Sequence, residues 1–273
     1  GVQGIICGAH NFVPGDKVVV TLPGAVLPGG FAITARKTYG HKSAGMIAST
    51  RELGIGDDHG GILVLSTLGL DPELGTDAME LLGLYDQAAE VNVTPDRGYA
   101  FSLRGIAREW CHATGSSFED FVLAYGERAP EANESGHPVA LRDDAPIHGN
   151  PGCTRFVMRE VSGVKADAPV PTWMSSRLRL AGVRSLSLPV DISNYVMLET
   201  GQPLHFYDAD KVQGEIVVRR AAAGEKLVTL DGVERTLHPE DIVIADDSGV
   251  IGLAGVMGGA STCLLYTSPS PRD

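Results

Sequence analysis

Residues 215–259 read EIVVRRAAAGEKLVTLDGVERTLHPEDIVIADDSGVIGLAGVMGG and alternate short apolar runs with turn residues. The runs that we expect to be strands are EIVVRRA, EKLVTL, VERTL, DIVIADD and VIGLAGVMGG. Asp231-Gly232 lies between two of these runs and is the strongest hairpin signal in the chain. This stretch therefore predicts a β-sheet that includes at least one hairpin.

Helical patterns precede this sheet. The run FSLRGIAREWCHA at 101–113 places apolar side chains on one helical face, with Ser102 as the candidate cap. That face would carry Leu103, Ile106, Ala107 and Trp110. A second helix is expected from Pro171 to Gly182, because Pro suits a first helical turn and Gly a helix end.

A third helix is expected over DISNYVMLETG, residues 191–201. Asp191 is placed to cap it and Gly201 to end it. Helices and strands together predict a mixed α/β domain from about residue 91 onward.

The first 68 residues have a different pattern. Short β-runs such as KVVVTL and FAITARKTY are cut by Pro-Gly turns, which favours a small barrel or sandwich. An acidic connector follows at 69–90, with a short helical piece at DAMELLGL.

Charge is segregated along the chain, although the net charge is −12. No Asp or Glu occurs from Lys17 to Arg51, whereas the stretch from Glu52 to Asp96 has ten carboxylates and no Lys or Arg. Such segregation suits a local anion-binding face on an acidic protein. The alternative is that acidic residues cluster by chance in a linker.

Composition narrows the class of protein. The 273 residues are enough for two domains, and 43% apolar with 21% charged residues is ordinary for a globular protein. No apolar run is long enough for a membrane span and no signal peptide is evident, which favours the cytoplasm. The four cysteines have no metal-ligand or disulfide spacing. The last residues, 263–273, read as a non-native tail.

Several separated motifs resemble one family. The first is VLPGGFAITARKTYGHKSAGMIASTRELGIGDDHGGILVL at 26–65, and the second is NVTPDRGYAFSLRGIARE at 92–109. They are followed by WMSSRLRLAGVRSLSLPVDISNYVMLETGQPLHFYDADKV at 173–212, then EKLVTLDGVERTL and GLAGVMGGAST. In order and spacing they resemble the β subunit of bacterial phenylalanine–tRNA ligase.

This resemblance implies a multi-domain α+β fold. An OB-fold tRNA-binding barrel, N-terminally truncated, would occupy 1–68, and an acidic linker 69–90. A mixed α/β editing domain of the B3/B4 type, C-terminally truncated, would occupy 91–262.

The resemblance also implies a function, namely tRNA binding and hydrolysis of tyrosyl-tRNA(Phe). In the pocket, His205 would position the substrate as the catalytic candidate, and the other lining residues would be Ser193, Asn194, Gly255, Gly258 and Gly259. Structural roles in turns and helix ends are the alternatives for these residues. The residues expected to face RNA are Arg36, Lys37, Lys42, Ser49 and Arg51, with a charged strand edge as the alternative.

Other implications concern the whole enzyme. It would use ATP and magnesium to attach phenylalanine, and its partners would be tRNA(Phe) and an α subunit in an (αβ)2 heterotetramer, without membrane or DNA. No cofactor or metal site is expected in this chain. The alternative function is an RNA-binding or structural module without editing activity.

The chain departs from the family pattern at four places. It has Asp96 for the usual Asn, Ser193 for Thr, Phe206-Tyr207 for Ala-Phe, and SLSLP at 185–189. The first two changes keep hydrogen-bonding groups. The last two alter residues next to the expected pocket.

Overall fold

The computed structural model describes residues 2–126, 136–165 and 168–264. Most of the tail expected at 263–273 lies outside them. The chain divides into two compact units, the first comprising the chain up to Val91 together with Pro169–Leu186. The second unit comprises Asn92–Ala168 and the chain from Ser187 onward. The domain bounds 1–68, 69–90 and 91–262 stay predictions.

The helices and strands of the described residues are short. The helices are α1 (Ala78–Leu81), α2 (Leu103–Thr114), α3 (Phe121–Gly126), α4 (Thr172–Leu180) and α5 (Leu188–Thr200), with 3₁₀ turns at Leu65–Leu68 and Pro95–Phe101. The strands of the first unit are β1 (Val20–Thr21), β2 (Val26–Leu27), β3 (Phe31–Ala32), β4 (Arg36–Thr38), β5 (His41–Ser43) and β6 (Met46–Ile47). Those of the second are β7 (Val139–Arg142), β8 (Ile216–Arg220), β9 (Lys226–Val228), β10 (Glu234–Thr236), β11 (Ile242–Asp246), β12 (Gly249–Leu253) and β13 (Met257–Gly258).

Strands of the first unit pair two by two: β1 with β6, β2 with β3 and β4 with β5, all antiparallel. No closed barrel forms among the described residues, so the OB-fold prediction is not confirmed. Strands of two or three residues, cut by Pro-Gly turns, offer too short a ladder to close a sheet on itself.

Apolar side chains hold this unit together. Its buried cluster consists of Val19, Ala48, Leu53, Leu63, Leu65 and Leu82. Helix α4 begins directly after Pro171 and is followed by Gly182 with φ 76°, which confirms the helix predicted there. Its Ser176 hydroxyl donates to the Gly83 carbonyl oxygen at 2.9 Å and ties the helix to the segment after α1.

Helix α2 of the second unit has the predicted cap. The Ser102 Oγ accepts a hydrogen bond from the Gly105 amide at 3.1 Å. The predicted helix is confirmed, but two residues of its apolar face are exposed, Leu103 at 62% and Trp110 at 67%. The buried position is Gly105, where a Cβ would overlap the Tyr99 carbonyl.

Helix α5 begins at Leu188, three residues before its predicted cap. Ser187 occupies the capping position with extended backbone, and Asp191 lies inside the first turn and is fully buried. The predicted role of Asp191 as cap is therefore wrong; Pro189, suited to a first helical turn, moves the start of the helix upstream. Gly201 ends the helix with φ 78°, as predicted.

The sheet of the second unit has five strands in the order β13-β12-β11-β8-β7. Strands β7 and β8 are parallel, and the other neighbours are antiparallel. Strands β9 and β10 form a separate antiparallel hairpin across Asp231-Gly232, which confirms that prediction. One buried cluster joins the hairpin to the sheet through Ala221, Leu227, Leu237 and Val243. The coarser prediction of a mixed α/β domain is confirmed.

Candidate functional site

Three of the five residues expected to face RNA lie on one hairpin. Strands β4 and β5 pair Arg36 with Ser43 and Lys37 with Lys42. All three cations of the hairpin are exposed, and within the described residues none forms an ion pair. Two lysines directly opposite each other repel, which destabilises a hairpin unless an anion neutralises them.

Ser49 and Arg51 follow this hairpin. Ser49 is 5% exposed, and its Oγ donates to Glu52 Oε2 at 2.9 Å and accepts from the Glu52 amide at 3.2 Å. Glu52 Oε2 also accepts from the Ser49 amide at 2.7 Å, which is the pattern of a capping box. Arg51 is exposed and, among the described residues, without an ion pair. The structure thus gives Ser49 a local structural role and leaves Arg51 accessible.

His205 lies in the loop after α5, and its imidazole rests on the backbone of Gly258 at the end of β13. A Cβ at Gly258 would overlap the ring and stand 3.1 Å from Nδ1. Only glycine leaves room for the ring at this position. His205 as a whole is exposed, but burial of part of its ring lowers the pKa below the ordinary value of 6.5, which favours the neutral imidazole at pH 7.

Tyr207 packs against this histidine. The two rings meet edge to face, with centroids 4.6 Å apart and an interplanar angle of 78°. Burial raises the pKa of Tyr207 to about 12. Its hydroxyl oxygen is buried, and among the described residues it has no hydrogen-bond partner. Sequence reasoning missed Tyr207 as a neighbour of His205; its signal was that it stands at a departure from the family pattern.

Contacts to the chain after β13 hold this loop in place. Tyr207 forms an antiparallel bridge with Cys263, and the Asp208 amide donates to the Thr262 carbonyl oxygen at 2.9 Å. The Lys211 Nζ lies 3.2 Å from Asp208 Oδ2 and donates to the Cys263 carbonyl oxygen at 3.2 Å. His205 therefore lies in a loop whose C-terminal side is held by hydrogen bonds to residues 262 and 263.

The three predicted glycines have different environments. Gly258 underlies His205, as described above. Gly259 is buried, and a Cβ there would stand 2.7 Å from the Ile251 carbonyl oxygen and 2.9 Å from Leu227. Gly255, with φ 70°, lies in the turn between β12 and β13, and a Cβ there would meet nothing within 4 Å. The structure thus brings Gly258 to the histidine and gives Gly259 a packing role.

Ser193 and Asn194 lie on α5. The Ser193 hydroxyl donates to the Val190 carbonyl oxygen at 2.6 Å, within the helix. Helix α5 packs against α2, and its terminal Gly201 stands over Ser102. Within the described residues, no hydrogen bond or ring contact links Ser193 or Asn194 to His205. Their place in the pocket stays a prediction.

The chemistry available here is positioning and hydrogen bonding. A neutral imidazole can donate or accept a hydrogen bond. No group of three or more His, Cys, Asp or Glu side chains that could hold a metal ion occurs among the described residues. Over the same residues, no helix has the length and apolarity to cross a membrane.

A cleft lies against strands β7, β8 and β11 of the sheet. Its volume is about 340 Å³, and its lining includes Arg142, Asp144, Arg219, Arg220, Asp246 and Asp247. Its arginines are compensated: Arg220 Nε and Nη2 each donate to Asp143 at 3.0 Å, and Arg219 donates to Glu225 through two nitrogens. Because these carboxylates neutralise Arg219 and Arg220, the two arginines give no reason to expect an anionic ligand in the cleft.

Comparison with known proteins gives consistent matches. Residues 152–268 match the family model of the B3/4 domain. The chain is 66% identical over 266 residues to the phenylalanine–tRNA ligase beta subunit of Leifsonia xyli subsp. xyli, covering 96% of this chain and 31% of that protein. It is 58% identical to the protein of that name from Streptomyces avermitilis, covering 95% of this chain and 30% of the relative.

A third relative, from Bifidobacterium longum, is 53% identical over 94% of this chain and 32% of its own length, and has the same name. The chain thus spans about a third of the length of the curated relatives it matches. The resemblance inferred from the motifs is confirmed, and His205 and Gly258 both lie within the B3/4 match.

Proposed function

We propose that this chain, a homologue of phenylalanine–tRNA ligase β subunits, binds tRNA and hydrolyses tyrosine from mischarged tRNA(Phe). The proposal rests mainly on one contact: the His205 imidazole packs against the backbone of Gly258, and both residues lie within the B3/4 match. A glycine that leaves room for a partly buried, neutral histidine in a domain of this family is the arrangement that an editing pocket would need.

The reaction has a physical reason. A pocket shaped for phenylalanine rejects an isostere with one added hydroxyl only weakly, by about 10²-fold, whereas a site that hydrogen-bonds that hydroxyl discriminates by about 10⁴- to 10⁵-fold. Hydrolysis at a second site that selects the hydroxyl therefore supplies the missing specificity.

In this pocket His205 would hold or polarise the aminoacyl ester while a water attacks it, with the terminal ribose hydroxyl assisting. Its lowered pKa keeps the imidazole neutral, so it acts by hydrogen bonding and not as a fixed cation. Ser193, Asn194, Gly255 and Gly259 complete the proposed lining. Since Gly259 is buried under Leu227, its contribution is to the backbone path of β13.

For RNA, the proposed surface is the hairpin β4–β5 with Arg51. It carries the accessible cations Arg36, Lys37 and Lys42. We propose that residues 1–68 form an OB-fold module, which would bind RNA along such a basic face. Support comes from its six short antiparallel strands and from the segregation of charge in the sequence.

At the level of the whole protein, the proposal is a class II aminoacyl-tRNA synthetase in the cytoplasm. An α subunit would bind ATP, magnesium and phenylalanine in an (αβ)2 heterotetramer, and tRNA(Phe) would be the shared substrate. This chain has a third of the relatives' length and supplies neither ATP nor magnesium binding in the proposal.

The test is deacylation of tyrosyl-tRNA(Phe) by the complete enzyme carrying this chain. His205→Ala removes the imidazole, and Gly258→Ala displaces it by steric overlap; each is expected to slow tyrosine release by about 10²-fold or more, the contribution of one positioned group. His238→Ala, at a histidine with a 70% exposed side chain, is the matched control for the first. Gly252→Ala, at the position paired with Gly258, is the control for the second because its Cβ has room.

A second candidate function is an RNA-binding scaffold without editing. The observation that favours it is the ring of Tyr207, which packs on the imidazole from one side. Wild-type protein that folds, binds tRNA and leaves tyrosyl-tRNA(Phe) intact would establish the scaffold and overturn the editing proposal.

A further inference from the structure

The tip of the hairpin β4–β5 carries an aromatic side chain in an unusual backbone conformation. Thr38 pairs with His41, so the turn consists of Tyr39 and Gly40 alone. Both have positive φ, 48° for Tyr39 and 83° for Gly40, as in a type I′ turn. Asn and Gly are the residues that such a turn prefers, and a bulky side chain at positive φ is rare.

This tyrosine is not held there by packing. Its side chain is 90% exposed, and among the described residues no hydrogen bond or ring contact involves it. The stem below is anchored: Ser43 is 2% exposed, accepts from the Ile6 amide at 3.0 Å and donates to the Gly45 carbonyl oxygen at 3.0 Å. The hairpin therefore exposes the Tyr39 ring at its tip, while its base is anchored through Ser43.

The ring stands beside positive charge. Lys37 and Lys42 pair with each other across the stem. Lys37 lies two residues before Tyr39 and Lys42 three residues after it, and neither has an ion-pair partner among the described residues. An aromatic face next to unneutralised cations is the combination that binds unpaired nucleotides, since bases stack on the ring and phosphates meet the amines. A fully paired helix offers its phosphates but no free base face.

We propose that Tyr39 stacks on an unpaired base of the RNA while Lys37 and Lys42 contact the adjacent backbone. This inference rests on the proposed tRNA binding and adds a base contact to it. It also gives a reason for a tyrosine at a turn position that its backbone disfavours.

The experiment measures the affinity of the full chain, on its own and within the complete enzyme, for a tRNA(Phe) transcript and for a fully paired RNA duplex. Tyr39→Asn removes the ring and installs the residue that the turn prefers, so the hairpin should be at least as stable. We expect its affinity for the transcript to fall on the order of tenfold, and its affinity for the duplex to stay unchanged. Tyr39→Phe keeps the stacking surface and should bind as the wild type does.

The double variant Lys37→Gln/Lys42→Gln separates this inference from the proposed function. It should weaken binding to both RNAs and make affinity less dependent on salt. If that variant loses binding while Tyr39→Asn binds the transcript as wild type does, the stacking inference is overturned and tRNA binding stands. If the wild type binds neither RNA, or if the double variant binds both normally, the RNA-binding role of this hairpin fails, and the stacking inference fails with it.

Discussion

His205 and Gly258 show how one absent side chain shapes the candidate site. The imidazole occupies the space that a Cβ on Gly258 would take, and the Tyr207 ring contacts it edge to face. The family motifs allowed both residues to be singled out from the sequence. Their contact could not be derived from it, because 52 intervening residues, 206–257, bring the loop after α5 to the end of β13.

Tyr207 gives a prediction about stability. Its buried hydroxyl has no partner among the described residues, so folding removes the group from water without compensation. Tyr207→Phe should leave the free energy of unfolding unchanged or raise it by up to about 1 kcal/mol. Urea unfolding at pH 7 measures this change.

Tyr99→Phe is the matched control. The Tyr99 hydroxyl donates to Glu109 Oε1 at 2.6 Å, so its removal should lower the free energy of unfolding. A loss for Tyr207→Phe as large as that of the control would show that the Tyr207 hydroxyl has a bonding partner, and the description of its environment would have to change.

The roles predicted for Asp191 and Ser49 are prevented by the structure of their sequence neighbours. Asp191 has the chemistry of a cap, but the helix starts at Leu188 because Pro189 suits the first turn. Ser49 has a polar group in a basic segment, yet its hydroxyl is engaged by Glu52. In both cases the residue type was compatible with the predicted role, and a neighbour two or three positions away decided the outcome.

Among the elements, the parallel pair β7–β8 depends on a charged link. Asp143, directly after β7, receives two hydrogen bonds from Arg220 at the end of β8, each 3.0 Å long. Both side chains are nearly buried, at 9% and 10% exposed. The Arg220 guanidinium, helped by the Gly152 amide, lowers the pKa of Asp143 from 3.8 to about 2.

The ion pair between Asp143 and Arg220 predicts that the stability of the fold depends on pH. The folded-state pKa lies below the unfolded value, so the carboxylate stabilises the protein fully above about pH 4 and loses this effect as the pH falls toward 2. Asp143→Asn should therefore lower the unfolding midpoint at pH 7 and flatten its pH dependence between about 4 and 2. The measurement is thermal unfolding of both proteins over that range.

Asp144→Asn, one residue along and exposed, is the control and should leave the midpoint near its wild-type value at pH 7. Equal slopes for wild type and Asp143→Asn below pH 4 would contradict a carboxylate titrating in this window.

Elements were predictable where the signal was local. The hairpin at Asp231-Gly232, the cap at Ser102 and the helix end at Gly201 each depend on a few adjacent residues, and each is confirmed. The buried face of α2 was not predictable from periodicity, because Gly105 makes the close contact and the apolar stripe lies outside it. Helical spacing identifies an apolar face but not what covers it.

For the whole molecule, the sequence indicated a change of character near residue 91, and the second unit begins at Asn92. It did not indicate that Pro169–Leu186 group with the first unit, since that association depends on contacts such as Ser176 with Gly83 across 93 positions. Barrel closure likewise depends on long-range pairing. The described part of the first unit shows such pairing between β1 and β6 and between Val18 and Val64, but no closed ring of strands. Local sequence patterns were sufficient to predict helices, strands and turns, whereas the function could be predicted only from the family resemblance.

The function proposed for this chain is the removal of tyrosine that has been attached to tRNA(Phe). The most direct measurement is the accumulation of tyrosyl-tRNA(Phe) by the complete enzyme supplied with tyrosine, ATP and magnesium, for wild type and His205→Ala. We expect no accumulation with the wild type, steady accumulation with His205→Ala, and equal rates of phenylalanine attachment by the two enzymes. Accumulation by the wild type, or an equally clean product from the variant, would contradict the proposed function.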